Sequence, residues 1–230
     1  TKGNSIMLKT IAAAIAAMGI SLGAQAQAQT YPAKPITMIV PFAPGGTVNL
    51  MGRLLANRMS EALGQTVIVE NKPGGGGSIG ANFVAKAPAD GYTLLMGAGS
   101  GMVTAPLLSS KLTYNPSRDF VPVGRVVVNV PILTTHPSLQ VRTVQELIEL
   151  ARKNPGGLNY STSGNGSPGH LSMEMFQAAT GTRMVQIPYK GGGPAVNELA
   201  GGHVQLGINA VPSVAAHIKA GKLVPLAVAS

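Results

Sequence analysis

From Ile36 onward, short runs of Val, Ile, Leu and Met alternate with stretches whose apolar residues recur at helical spacing. That alternation buries mainly parallel strands between helices and defines an α/β fold. It predicts strands at residues 36–40, 67–69, 92–96, 158–162, 185–187, 204–208 and 223–228. It predicts helices at 49–63, 79–87, 143–153, 167–180, 194–199 and 214–220. Two of the helix starts are written plainly. Thr143 with Glu146 forms a capping box, and Ser167 followed by Pro168 is an N-cap with proline at the first helical position. Between residues 107 and 131 the pattern loosens, and extended runs at 121–130 and 132–135 meet without a strong helix. That stretch reads as the crossing between two lobes, 29–130 and 131–230. The chain ends on an apolar strand with no closing helix, so a C-terminal part is expected to be missing.

The first 28 residues read as an address. Lys2 and Lys9 flank Met7, the expected start, and an Ala-rich apolar run occupies residues 11–22. Small-x-small cleavage sites follow at Ala24-Gln25-Ala26 and Ala26-Gln27-Ala28. This is the layout of a secretory signal peptide, too short in its apolar part to span a bilayer. The mature product is expected to be soluble and exported.

Composition removes several classes of function. With no Cys, the chain has no disulfide scaffold, no thiolate metal site and no thiol nucleophile. Hydrophobic residues make up 45%, which excludes disorder. The formal charge is +9, but Lys and Arg are scattered and aromatics are only 4%, unlike the clustered basic and stacking residues of a nucleic-acid binder. The excess favours anions in general.

Ligands of open parallel sheets bind beyond the carboxyl ends of the strands. Four Gly- or Ser-rich loops stand there. The first holds Phe42, Pro44, Gly45, Gly46 and Thr47, and the second Ala98, Gly99 and Ser100. The third holds Ser161, Ser163, Gly164, Asn165, Gly166 and Ser167, and the fourth runs from Pro188 through Tyr189 and Lys190 to Gly193. Glycine lets the backbone approach a ligand, and free N–H groups at helix starts favour an anion, a carboxylate or phosphate. His170, in the first turn after Ser167, is a candidate neutral donor.

Catalytic readings fail on their missing partners. Residues 164–169 and 75–80 both fit G-x-G-x-x-G, but neither is followed by the acidic residue that a dinucleotide site needs at the next strand end. Gly76-Gly77-Ser78-Ile79-Gly80 fits the nucleophile elbow, yet it lies in a long loop, with no Asp-then-His order at later strand ends. His136, His170, His203 and His217 lack metal-ligand spacing. No enzyme, cofactor or metal is expected.

A set of segments carries a family resemblance. They include Tyr31-Pro32-Ala33-Lys34-Pro35-Ile36, Pro41-Phe42-Ala43-Pro44-Gly45-Gly46, Glu70-Asn71-Lys72-Pro73-Gly74 and Pro88-Ala89-Asp90-Gly91-Tyr92. Further on come Tyr160-Ser161-Thr162-Ser163-Gly164-Asn165-Gly166-Ser167 and Pro188-Tyr189-Lys190-Gly191. Together they resemble the Bug/TctC family, periplasmic solute receptors of tripartite tricarboxylate transporters. The resemblance implies a two-lobe fold of the type II periplasmic-binding-protein kind (a Venus flytrap), closing on a small organic carboxylate. It implies integral membrane transporter subunits as partners and a monomeric receptor. An alternative with the same motifs is a sensor signalling to a membrane partner. It also implies that backbone amides and hydroxyls of the first and third loops hold the carboxylate, with residues 98–100 and Tyr189 as further walls. Where the family often has Asp, this chain has Asn49 and Asn209. A cleft without those acids is expected to take a ligand lacking an ammonium group.

Overall fold

The computed structural model describes residues 30–228, so the segment read as a signal peptide lies outside the described residues. Two sheets organise the chain. The first contains β1 (Ile36–Val40), β2 (Val67–Asn71) and β3 (Thr93–Leu95) in the order β2-β1-β3, all parallel. Helix α1 (Thr47–Leu63) makes the crossover from β1 to β2, and Gly64 ends it in the left-handed region at φ 62°. Helix α2 (Ser78–Ala85) carries the chain from β2 to β3. Ile36, Met38 and Val40 on β1 pack with Ala56, Val67 and Met96 as the core of this part.

The second sheet contains β4 (Pro131–Thr135), β5 (Asn159–Thr162), β6 (Val185–Pro188), β7 (Leu206–Ala210) and β8 (Val224–Val228), in the order β6-β5-β7-β4-β8. Helices α4 (Val144–Lys153), α5 (Pro168–Thr180), α6 (Gly192–Ala200) and α7 (Val211–Lys219) connect them. The short α3 (Ala105–Leu108) precedes this sheet and follows a wide turn of π-helical type, Ser100–Thr104. Leu147, Tyr160, Met173 and Leu206 centre one core cluster on this sheet, and Val196, Leu199, Val204 and Val214 another.

Local chemistry explains most element boundaries. Thr143 Oγ1 accepts from Glu146 N at 3.2 Å while Glu146 Oε2 accepts from Thr143 N, which closes the capping box. Ser167 Oγ accepts from His170 N at the start of α5, and Gly181 ends that helix at φ 64°.

The sheets are mainly parallel, as the alternation implies, with one exception. Strand β4 runs antiparallel to both β7 and β8. An antiparallel neighbour needs no helical crossover on its face, so helix–strand alternation alone does not report it. Residues 121–130 form neither helix nor strand, join neither sheet, and every one of them is exposed. Among the described residues no helix is long and apolar enough to cross a membrane.

Candidate ligand-binding site

The carboxyl ends of β1 and β6 meet across the two sheets. Ala43 N donates to Lys190 O at 2.9 Å, and the loop after β1 lies directly on the start of α6. A Cβ on Gly46 would stand 3.0 Å from Gly193 N and 3.2 Å from Gly192 N. A Cβ on Gly193 would collide with the carbonyl oxygen of Pro44. Glycine is required here because two main chains touch, and this contact joins the first sheet to the second. A second backbone approach runs beside it: Gly76 faces Asn165 O, and a Cβ there would lie 2.6 Å away.

Between these approaches lies a cavity of about 450 Å³. Phe42 and the Gly74–Ser78 segment line it from the first sheet's side, Ser163, Gly164, Asn165 and Tyr189 from the second. Ala105, Leu108, Ser109 and Leu112 form a further wall. Lys190 is the one charged side chain on the lining, and no carboxylate lines it. The field inside therefore favours negative charge. Burial raises the Tyr189 phenol above its ordinary value, with the Glu198 carboxylate adding to the shift, so it stays a neutral hydroxyl at physiological pH.

Of the helices that start on these loops, three are uncapped by side chains, while α5 is capped by Ser167. The N-caps of α1, α2 and α6 are Gly46, Gly77 and Gly191, and none offers a side-chain acceptor. By contrast α4, capped by Thr143, starts away from the lining residues. Uncapped starts leave N–H groups and the positive end of each helix dipole for an anion.

Buried polar atoms without partners stand near strand ends, and none of them lines this cavity. Thr47 Oγ1, Ser100 Oγ, Thr135 Oγ1, Ser161 Oγ and Asn209 Nδ2 have no hydrogen-bond partner among the described residues. Buried polar groups are almost always paired, so each such atom calls for a reason. Four of the five follow or end β1, β3, β5 and β7, at or just beyond their carboxyl ends, and Ser161 Oγ and Asn209 Nδ2 close over the same face of Gly207. Donors held free of protein partners at those ends suit an oxyanion.

The remaining candidates act on the loops. Asn49 Oδ1 accepts from Gly45 N at 3.3 Å and its Nδ2 donates to Asn71 Oδ1, so the carboxamide shapes the first loop. His170 Nδ1 accepts from Gly166 N at 3.2 Å, and Nε2 lies 3.9 Å from Glu174, which engages both ring nitrogens with protein groups. Ser167 caps α5. Gly166 packs against Thr104 and Leu108. Ala98 O accepts from Met102 N, Gly99 is exposed, and so is Pro44.

Sequence reasoning held Lys190 within the fourth strand-end loop without singling it out, and did not place Gly74–Ser78 or residues 105–112 on the lining. The run of four glycines before α2 is a strand-to-helix loop of the same kind as the others, and its composition was the available signal. The 105–112 wall carries no such signal, because short apolar turns resemble ordinary core.

A family model described as the tripartite tricarboxylate transporter family receptor matches residues 51–230. Protein BugT of Bordetella pertussis is 43% identical over 226 residues, covering 97% of this chain and 68% of BugT. Among solved structures, R. palustris Rpa4515 with adipate is 40% identical with a TM-score of 0.84, over 86% of this chain and 66% of that one. MatC from Rhodopseudomonas palustris with bound malate is 28% identical with a TM-score of 0.82, over 87% of this chain and 68% of that one. The chain spans roughly three fifths to two thirds of the length of the curated relatives it matches.

Proposed function

The chain belongs to the tripartite tricarboxylate transporter receptor family, the Bug/TctC periplasmic solute-binding proteins, and from that premise we propose that it binds a small carboxylate between its two sheets and delivers it to an integral membrane transporter. The carrying observation is a cavity between the two sheets whose lining, among the described residues, holds Lys190, the Gly77 start of α2 and no acid. Such a site solvates an anion with fixed dipoles that need no reorganisation. Relatives with adipate and malate support the carboxylate class. Ligand contacts made to both sides at once would hold the lobes closed and shift an open–closed equilibrium.

A thermal-shift screen with organic carboxylates, with the corresponding amines as controls, tests the reading. Saturable stabilisation by carboxylates alone is expected. Equal responses to amines, or none to any carboxylate, would refute it.

A further inference from the structure

Ala105, Leu108, Ser109 and Leu112 all line the cavity, the first two from α3 and the other two from the segment that follows it. Leu108 lies opposite the second lobe: a Cβ on Gly166 would stand 3.2 Å from Leu108 Cδ1. Yet Leu108 is 65% exposed, an area that a leucine at a cleft mouth leaves to water until something apolar covers it. Phe42 lines the same cavity. The segment is not loosely held. The buried Tyr114 donates its hydroxyl to Gly101 O, and its ring packs edge-on against Phe120 at 5.9 Å. Thr113 Oγ1 adds a bond to Asn82 Oδ1 at 2.7 Å. Thr113 thereby fastens the far end of the wall to α2 of the first lobe, and Tyr114 ties that end back to Gly101, ahead of α3.

The cavity thus has two chemistries. One part is polar and amide-rich. The other is an anchored apolar wall, with Lys190 the one charge on the lining and no acid to neutralise a cation. We propose that residues 105–112 are the specificity wall of the receptor, selecting carboxylates that carry an extended apolar body and no ammonium group over short, compact acids. This rests on the carboxylate reading above and narrows it to a ligand class. About 450 Å³ is also more room than a four-carbon acid fills, which leaves the wall in contact with water unless the ligand is longer.

Isothermal titration calorimetry of the chain against succinate, suberate and 2-aminosuberate tests the proposal, alone and in the variants Leu108→Asn and Leu112→Asn. Suberate is expected to bind at least about ten-fold more tightly than succinate, from the methylenes it lays on the wall. The 2-aminosuberate affinity is expected to fall by at least about ten-fold against suberate, because its ammonium finds no counter-charge. The suberate-to-succinate ratio is expected to drop several-fold in each variant. Melting curves verify folding, and the largely exposed Leu108 position guards against a result that is only misfolding. Equal affinities for succinate and suberate, or a ratio that neither variant moves, would overturn the specificity wall while leaving the carboxylate receptor standing. Binding of none of the three acids would remove both.

Discussion

Asn49 Nδ2 donates to Asn71 Oδ1 at 3.2 Å, and Asn71 Nδ2 in turn donates to Phe42 O at 2.7 Å. The chain has a direction. Because Asn71 spends its amino group on the β1 loop, the residue facing its oxygen must supply a donor. Asn49 does so and accepts from Gly45 N with its other atom. Aspartate at this position could keep the Gly45 bond but would set a carboxylate against the Asn71 oxygen. Asn49→Asp is therefore expected to cost about 1–3 kcal/mol of stability, the range for an unsatisfied buried polar group. Urea denaturation reads this directly, and a variant as stable as the parent would show that the amide chain does not matter.

The approach of Gly46 to Gly193 makes a prediction about closure. A methyl group on Gly193 meets Pro44 O, and one on Gly46 meets the Gly192 and Gly193 amides. Neither can be relieved by rotating a side chain, since the obstacles are backbone. Gly193→Ala and Gly46→Val are expected to hold the lobes apart and to weaken carboxylate binding at least ten-fold. Small-angle scattering would detect the larger dimensions. Unchanged affinity in both would place the ligand away from this contact.

Much of this site was legible because its chemistry is local. The Gly-rich loops, the Thr143 capping box and the Ser167 cap follow from residues a few positions apart. What escaped is set by long-range geometry. The reversal of β4 depends on pairing with Leu206–Ala210, more than seventy residues later in the chain. Leu108 lies at the start of the stretch where the sequence pattern loosens, and only the fold puts it across from Gly166. Asn49 and Asn209 separate in the same way: one amide is bound within the first loop, the other has an unpartnered Nδ2, and no local pattern distinguishes them.

Ser161 supports a test that separates binding from folding. Its hydroxyl is fully buried with no partner among the described residues, so removing it should relieve a cost rather than add one. Ser161→Ala is expected to leave the free protein as stable as before, or slightly more so. If the hydroxyl donates to a ligand carboxylate, affinity should fall by about 1–3 kcal/mol, roughly five- to a hundred-fold. Paired calorimetry and thermal melts check this. A loss of stability together with unchanged affinity would assign Ser161 a packing role instead.

Tyr160 governs behaviour at alkaline pH. The residue is fully buried, and its hydroxyl donates to Glu174 Oε1 at 2.6 Å. Burial pushes its phenol well above the ordinary value, and the Glu174 carboxylate pushes it further. Tyr114 and Tyr189 are raised as well, mainly by burial. Each phenol thus holds its proton more tightly in the folded chain than in the unfolded one. The stability this contributes is complete below the unfolded phenol value of about 10 and is lost as pH rises past it. Tyr160→Phe keeps the ring but removes both the bond to Glu174 and the titration. At pH 8 the variant is expected to be less stable by about 1 kcal/mol, while Glu174 keeps its bond from Gln177 Nε2. Between pH 9.5 and 11 its stability should decline less steeply than the parent's. Urea midpoints across that range give both slopes, and identical slopes would move the alkaline loss to other groups.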